Sequence, residues 1–449
     1  MLKPVLDKEF IPAAVFNRDF LSKAKERFSI ALERENGFVF RYDTYIIEED
    51  IKKSCFYVER LVKTLLWCVG GYKITLGGRR EIAEYIRDCY KKGGLREFDA
   101  DFMSGVYEKP FEVVVTDIDN VPEKKESSRP IGRHLDGCRI GFDAGGSDMK
   151  VSAVADGKVI FSEEIVWHPK VNSSPDYHYE NIKKAIKKAA DKMERVDAIG
   201  VSSAGIYVNN RAMVASLFIK IPKELYDEKI KDIYINIAKE MGNVPLVVAN
   251  DGDVAALSGS MYLKKNNILG IAMGTSEAGG YVDSKGNITG RLNELAFVPV
   301  DYNKNAATDD WSGDFGCGVS YFSQDAVIRL APAAGIALSD KLSPAEKLKE
   351  VQFLAERDQG NAKQIFETIG TYLGYTIVHY SDIYDINCVQ LLGRVTSGVG
   401  GDIIINQANK VLKSEFPSVA EKIKLYIPDE YERRVGQSIA AASLPEVKG

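Results

Sequence analysis

Histidine and cysteine are scarce in this chain, with four and six residues among 449. The cysteines, Cys55, Cys68, Cys89, Cys138, Cys317 and Cys388, form neither a CxxC pair nor a cluster with histidine. That spacing gives no disulfide framework and no tetrahedral ligand set, so reduced, buried thiols and no structural zinc are expected. No uninterrupted apolar run approaches the ~20 residues of a membrane helix, and the Met1 end lacks the apolar core of a signal peptide. A cytoplasmic protein without a membrane partner is the expectation. Basic excess is missing too: 59 Lys and Arg against 64 Asp and Glu leave a net charge of −5, which argues against general nucleic-acid binding. What is there is globular. The hydrophobic fraction of 45% and charged fraction of 27% belong to a chain with core enough for about two or three domains.

Glycine turns organise the chain. Gly141 to Lys150 reads Gly-Phe-Asp-Ala-Gly-Gly-Ser-Asp-Met-Lys, between the alternating apolar runs Cys138, Ile140, Phe142 and Met149, Val151, Ala153. This is the pattern of two strands joined by a tight turn. Gly145 and Gly146 let backbone N–H groups approach an anion, and phosphate is the natural guest. Asp143 is placed to hold a hydrated Mg²⁺, and Ser147 and Lys150 to meet phosphoryl oxygens. The same residues also fit an ordinary Gly-Gly hairpin. A second copy of the grammar follows: Ile268 to Met273, the turn Gly274-Thr275-Ser276-Glu277, then Gly279 to Val282 and a turn at Ser284 to Asn287. The first copy likewise reaches a hairpin turn at Asp156-Gly157. Two such units with intervening helices point to a duplicated α/β fold.

In chain order, residues 1–117 read as an N-terminal α+β domain without a chemical motif. It has helical spacing from Phe16 to Leu32, a strand from Phe38 to Ile47, a helix from Ile51 to Val69 and another from Arg79 to Lys92. Residues 118–137 have linker composition, polar and proline-punctuated. Residues 138–250 form the first lobe, with helices Tyr179 to Glu194 and Lys223 to Met241. The strand ending at Asn250-Asp251 puts a carboxylate either at a catalytic strand end or at a helix N-cap. Residues 251–449 form the second lobe, its last helix (Tyr431 to Ser443) returning to the first. Ser343 and Pro344 mark a helix start. The strand Cys388 to Leu392 runs into a third glycine-rich passage, Gly393 to Gly401, against which a flat base or ribose could lie.

From Cys138 onward these motifs resemble the ROK-type sugar kinases and repressors of the actin-like, ribonuclease-H-like ATPase superfamily. The resemblance implies a duplicated ribonuclease-H-like fold with an extra N-terminal α+β domain, and a phosphotransferase taking ATP, Mg²⁺ and a sugar. On that reading Asp251 is the sugar-activating base. Asp143, Gly145, Gly146, Ser147 and Lys150 form the first phosphate motif, with Asp143 also reaching Mg²⁺ through water. Gly274 and Thr275 form the second, and Gly393, Ser397 and Gly398 the adenosine motif. Ser203, Gly205, Asn250, Glu294 and Phe297 face the sugar. The resemblance allows a homodimer. Departures stand beside it. Phe297 replaces the histidine of the Glu-x-Gly-His-x-Pro segment, and Ala296 its glycine. The cysteine-rich zinc loop is reduced to Gly316-Cys317. Glu277 sits where glycine is preferred and would repel a γ-phosphate. These departures keep a non-catalytic sugar or nucleotide sensor in view, and family analogy keeps a ROK-type transcriptional regulator.

Overall fold

Alternating apolar residues make Cys138–Ala144 and Asp148–Ala155 antiparallel neighbours, Asp143 facing Lys150 in register. The next hairpin turns through Asp156 and Gly157, both at positive φ (46° and 77°), as a two-residue turn requires. The sheet order is Leu246–Asn250, Ala198–Ser203, Cys138–Ala144, Asp148–Ala155, Lys158–Val166, the first three parallel and the last two antiparallel. Pro175–Ala190 begins with Ser174 as N-cap and proline in its first turn. Gln437–Ala442 lies against the sheet so closely that a Cβ on Gly141 would meet Ser438 O at 2.1 Å and one on Gly200 would meet Ala441 O at 1.7 Å. Only glycine admits that packing. The expected single helix from Lys223 to Met241 is instead interrupted: a short turn Lys223–Leu225 and a π turn Tyr226–Ile230 precede the helix Ile233–Glu240. The wider turn lets Ile230, Ile233, Tyr234 and Ile237 all reach the core.

The computed structural model describes residues 1–126, 131–429 and 436–447. Positions 127–130 of the expected linker and 431–435 of the expected closing helix lie outside them. Among the described residues no helix is long and apolar enough to cross a membrane. The chain divides into two compact units: Ser128–Gly270 with Gly280–Gly290 and Pro428–Gly449, described above, and Met1–Ser127 with Ile271–Gly279 and Arg291–Ile427.

In the latter unit, Glu26–Glu33 pairs antiparallel with both Val39–Ile46 and Lys73–Gly77, and Lys73–Gly77 runs parallel to Glu112–Thr116. The helical reading of Phe16 to Leu32 is thereby corrected. The helix is Ala13–Leu21, and the chain reverses into the strand. Because Phe28 to Leu32 is buried on both faces of a central strand, its apolar run carries no period-2 signature to set against helical spacing. Ile51–Val69 is a helix as expected, capped by Asp50, which accepts from Lys53 N–H at 3.0 Å. Glu97–Tyr107 is a helix that sequence reading passed over. Pro344–Glu356 starts with a complete capping box, Ser343 with Glu346. In a further sheet Cys388–Leu392 runs parallel to Lys424–Tyr426.

Candidate functional site

Parallel pairing brings the end of Cys138–Ala144 level with the end of Ala198–Ser203, Asp143 beside Ser202. The Ser202 hydroxyl donates to Asp143 Oδ1 at 2.7 Å. Gln437 joins them, its Nε2 donating to Ser202 Oγ at 3.1 Å and to Asp143 Oδ1 at 3.4 Å. Burial pushes the Asp143 carboxyl up to about 6; the Ser202 hydrogen bond and Lys150 oppose the rise, and the charges of Asp251 and Asp148 add to it. Asp143 and Asp251 lie at the ends of strands of one sheet, and the charge of Asp251 further disfavours ionisation of Asp143.

Asp251 is the first residue of the helix Asp251–Leu263, directly after the strand Leu246–Asn250. The N-cap is its neighbour: Asn250 Oδ1 accepts from Gly252 N–H at 2.8 Å, and Asn250 Nδ2 donates to Gly205 O at 2.7 Å. Asp251 Oδ1 shares the same N–H at 3.0 Å. Burial raises the Asp251 carboxyl, against the Gly252 N–H and the positive charge of Lys170. Gly205 has φ +135°, and a Cβ there would meet Val214 O at 2.4 Å. The Ser203 side chain is enclosed, accepting from Tyr207 at 2.7 Å and Tyr234 at 3.2 Å, so its hydroxyl is already engaged.

The first glycine turn is held from within. Gly145 N–H donates to Asp148 O at 2.9 Å, and Trp167 Nε1 donates to Gly145 O at 2.8 Å. Gly146 and Ser147 are exposed, the latter donating to Asp148 Oδ1 at 3.1 Å. The structure thus gathers Asp143, Gly145, Gly146, Ser147, Lys150, Ser203, Gly205, Asn250 and Asp251 in one unit. Sequence reading missed Ser202, one residue from a named position, and Gln437, which no local pattern marks.

The other unit carries the remaining positions. Gly274 N–H donates to Ser276 O at 3.0 Å, and Thr275 and Ser276 face solvent. Glu277 turns the other way: it is 3% exposed, and among the described residues both its carboxyl oxygens are unpartnered. Its Oε2 lies 2.2 Å from where a Cβ on Gly318 would stand. Burial, with the charge of Glu294, holds its carboxyl well above the usual range. Gly393, at φ +91°, lies against the backbone of Met273, where a Cβ would come within 2.3 Å of its carbonyl oxygen. The third glycine passage therefore runs beside the Gly274 turn. Gly398 precedes the helix Val399–Glu415, and Ser397 is exposed. Glu294 N–H donates to Trp67 O at 3.1 Å, and the Phe297 ring stacks on Trp67 with centroids 4.2 Å apart.

The loop around Cys317 is anchored by charge. Asp314 meets Arg60, Arg96 and Lys63 at 3.0, 2.9 and 3.2 Å. Glu59 pairs with Arg60 and Arg96, and Asp99 with Lys63. All six side chains are nearly inaccessible. Five come from the N-terminal segment, a part no sequence motif linked to this loop. Among the described residues, no group of three or more His, Cys, Asp or Glu stands together as a metal site.

A family model described as the ROK family matches residues 139–425. Several solved structures are similar. A ROK family transcriptional regulator, homologous to the E. coli MLC protein, is 17% identical, covering 69% of this chain and 78% of that one at TM-score 0.55. A ROK hexokinase from Thermus thermophilus is 16% identical, covering 68% and 97%, at TM-score 0.52. A ROK family glucokinase from Streptomyces griseus, in complex with glucose and AMPPNP, is 17% identical, covering 69% and 99%, at TM-score 0.50. Among curated proteins none matches. At such identities the likeness is one of fold: the duplicated ribonuclease-H-like, actin-like ATPase fold, here with an extra N-terminal region.

Proposed function

Because the chain belongs to the ROK family, we propose that it is an ATP-dependent kinase moving the γ-phosphoryl group to a hydroxyl of a hexose or amino sugar. The observation that carries this reading is that Asp143 and Asp251 stand at the ends of two strands of one sheet, Asp143 bonded to Ser202 and Asp251 opening a helix, with the exposed turn Gly146–Ser147 directly after the first strand. Asp251 accepts the proton of the attacking hydroxyl. The new bond joins that oxygen to the γ-phosphorus, and the bond to the β-bridging oxygen breaks, its electron pair leaving with ADP. Burial suits Asp251 to the task, since a raised carboxyl is a better-matched base near neutral pH. Asp143, a carboxylate that burial and then the charges of Asp251 and Asp148 hold up, is the residue that would hold a hydrated Mg²⁺, and the ion would supply positive charge to the phosphates.

The turn from Gly145 to Ser147 with Lys150 contributes phosphate contacts, as do Gly274 and Thr275. Gly393, Ser397 and Gly398 offer backbone to the adenosine. Asn250, Gly205 and Glu294 present polar groups to the sugar, Ser203 acts through its backbone, and Phe297 supplies an apolar edge. The reading carries with it a cytoplasmic location and no nucleic-acid partner. The glucokinase of similar fold, described with glucose and AMPPNP, supports it.

The test is ADP formation across hexoses, amino sugars and polyols, with Asp251→Asn beside the wild type. The variant is expected to lose about two to four orders of magnitude in turnover while keeping nucleotide affinity. Sugar binding without ADP formation from any member of the panel would replace the kinase with a sensor.

A further inference from the structure

Beyond the glycine motifs, one segment sets a cation over the first turn. After the strand Lys158–Val166 the chain is tied onto that turn twice: Trp167 N–H donates to Ser147 O at 3.1 Å and its Nε1 to Gly145 O at 2.8 Å. His168, Pro169 and Lys170 follow, Pro169–Val171 forming a single tight turn. That turn is pinned from below by His178, fully buried, whose ring nitrogens stand 3.1 Å from Pro169 O and 2.7 Å from Ser174 O. The His178 ring also meets Trp167 and Phe218 edge-on, at 6.0 and 5.1 Å. Lys170 therefore leaves a braced backbone.

Its side chain lies along Gly146. A Cβ on that glycine would stand 3.2 Å from Lys170 Cε and 3.4 Å from Nζ, and nothing else would touch it. The ammonium makes no hydrogen bond or ion pair among the described residues, yet its charge reaches Asp251. Lys150 is placed differently. On its strand it faces Asp143 on one side and Glu164 on the other, so its charge is set among acids of the sheet.

We propose that Lys170 is a phosphate-binding residue of the kinase, its ammonium contacting the terminal phosphoryl group of ATP seated on the Gly145–Ser147 turn. This rests on the kinase reading above and adds a cation to it. Lys170 takes no part in bond exchange. It stabilises the charge of the transferred group, beside the carboxylate that takes the hydroxyl proton. Glycine at 146 is what leaves room for both the lysine stem and the phosphate.

Calorimetry on the full chain with Mg²⁺ and either AMPPNP or ADP tests the assignment. Lys170 is exposed, so Lys170→Gln is expected to fold normally. A lost charge-assisted contact predicts AMPPNP binding weakened about tenfold or more in Lys170→Gln, ADP binding less, and partial recovery in Lys170→Arg. As a second readout, Mg²⁺ with AMPPNP should slow acetylation of the Lys170 amine, followed by mass spectrometry. Wild-type binding with Lys170→Gln unchanged within about twofold, and labelling not slowed, would overturn the lysine assignment alone. A wild type giving no heat with either nucleotide would sink the kinase reading and this inference together.

Discussion

The Phe297 ring lies nearly parallel to the Trp67 indole, 28° between planes and 4.2 Å between centroids. The contact joins the segment assigned to sugar binding to the last turns of an N-terminal helix. The same helix end accepts hydrogen bonds at its carbonyls: Leu292, Asn293 and Glu294 N–H donate to Val69, Cys68 and Trp67 O at 3.1, 3.0 and 3.1 Å. The N-terminal segment is thus part of the packing that shapes residues Leu292 to Phe297.

Trp67→Ala is accordingly expected to cost about 3–5 kcal/mol, as for a fully buried aromatic. Phe297→Ala should cost less, because its ring is only half-buried. Urea midpoints at constant m-value report both. A Trp67→Ala protein as stable as wild type would mean the ring is replaceable filler.

A second prediction concerns Arg96, paired with Glu59 and Asp314 in the buried charge cluster. Arg96→Met leaves those carboxylates inside with one cation fewer, and removing a single partner from such a cluster costs about 3–5 kcal/mol. Replacing only an exposed pair such as Lys223–Asp227 should cost at most about 1 kcal/mol. With three cations already around Asp314, beside Cys317, elemental analysis of unchelated protein is expected to find far less than one zinc per chain. A stoichiometric zinc would overturn that expectation.

The hairpins at Gly145–Gly146 and Asp156–Gly157 were legible in the sequence because alternation and turn chemistry agree there. So was the placing of Asp143 and Asp251 at strand ends, where the chain changes from apolar run to polar turn. Phe28 to Leu32 misled because a strand buried on both faces has no alternation to show. Gln437 was invisible for another reason: its contact with Asp143 spans 294 positions, and only the helix packing that needs Gly141 and Gly200 delivers it. Lys170 is one lysine among many until the bracing by Trp167 and His178 is seen. The charge cluster required long-range partners, Asp314 lying 254 positions from Arg60.

A third prediction follows from Asp143, whose carboxyl is raised from 3.8 to about 6. Between those values the folded chain retains a proton that the unfolded chain has released, so this group's contribution to stability falls as pH rises through the window. Asp143→Asn removes the effect. Its stability relative to wild type is expected to grow from about pH 4 to about pH 6 and then level off. Urea unfolding across that range checks the sign, and an advantage that shrinks with rising pH would show a carboxylate favoured by the fold. In wild type, Mg²⁺-dependent nucleotide affinity should rise over the same interval as the carboxyl ionises.

The last prediction turns on Glu277. From sequence this carboxylate stands in the second phosphate turn as a charge opposed to ATP. In the fold, Thr275 and Ser276 take the exposed positions while Glu277 points inward beneath Gly318, its oxygens unpartnered among the described residues. Burial, with the charge of Glu294, raises its carboxyl well above the usual carboxylate range and so disfavours a negative charge there. Glu277→Gln should therefore leave Mg·ATP affinity within about twofold of wild type. Were the group ionised and facing phosphate, a like charge about 4–5 Å away would be relieved, and affinity should tighten about tenfold or more. Stability separates the cases again. A raised carboxyl loses its favourable protonated state as pH climbs, whereas an amide does not titrate, so Glu277→Gln should gain on wild type as the pH is raised above the usual glutamate range. Paired titration calorimetry and urea midpoints on the two proteins decide it. Tighter ATP binding with no pH-dependent gain in stability would return Glu277 to the phosphate turn as a charged group.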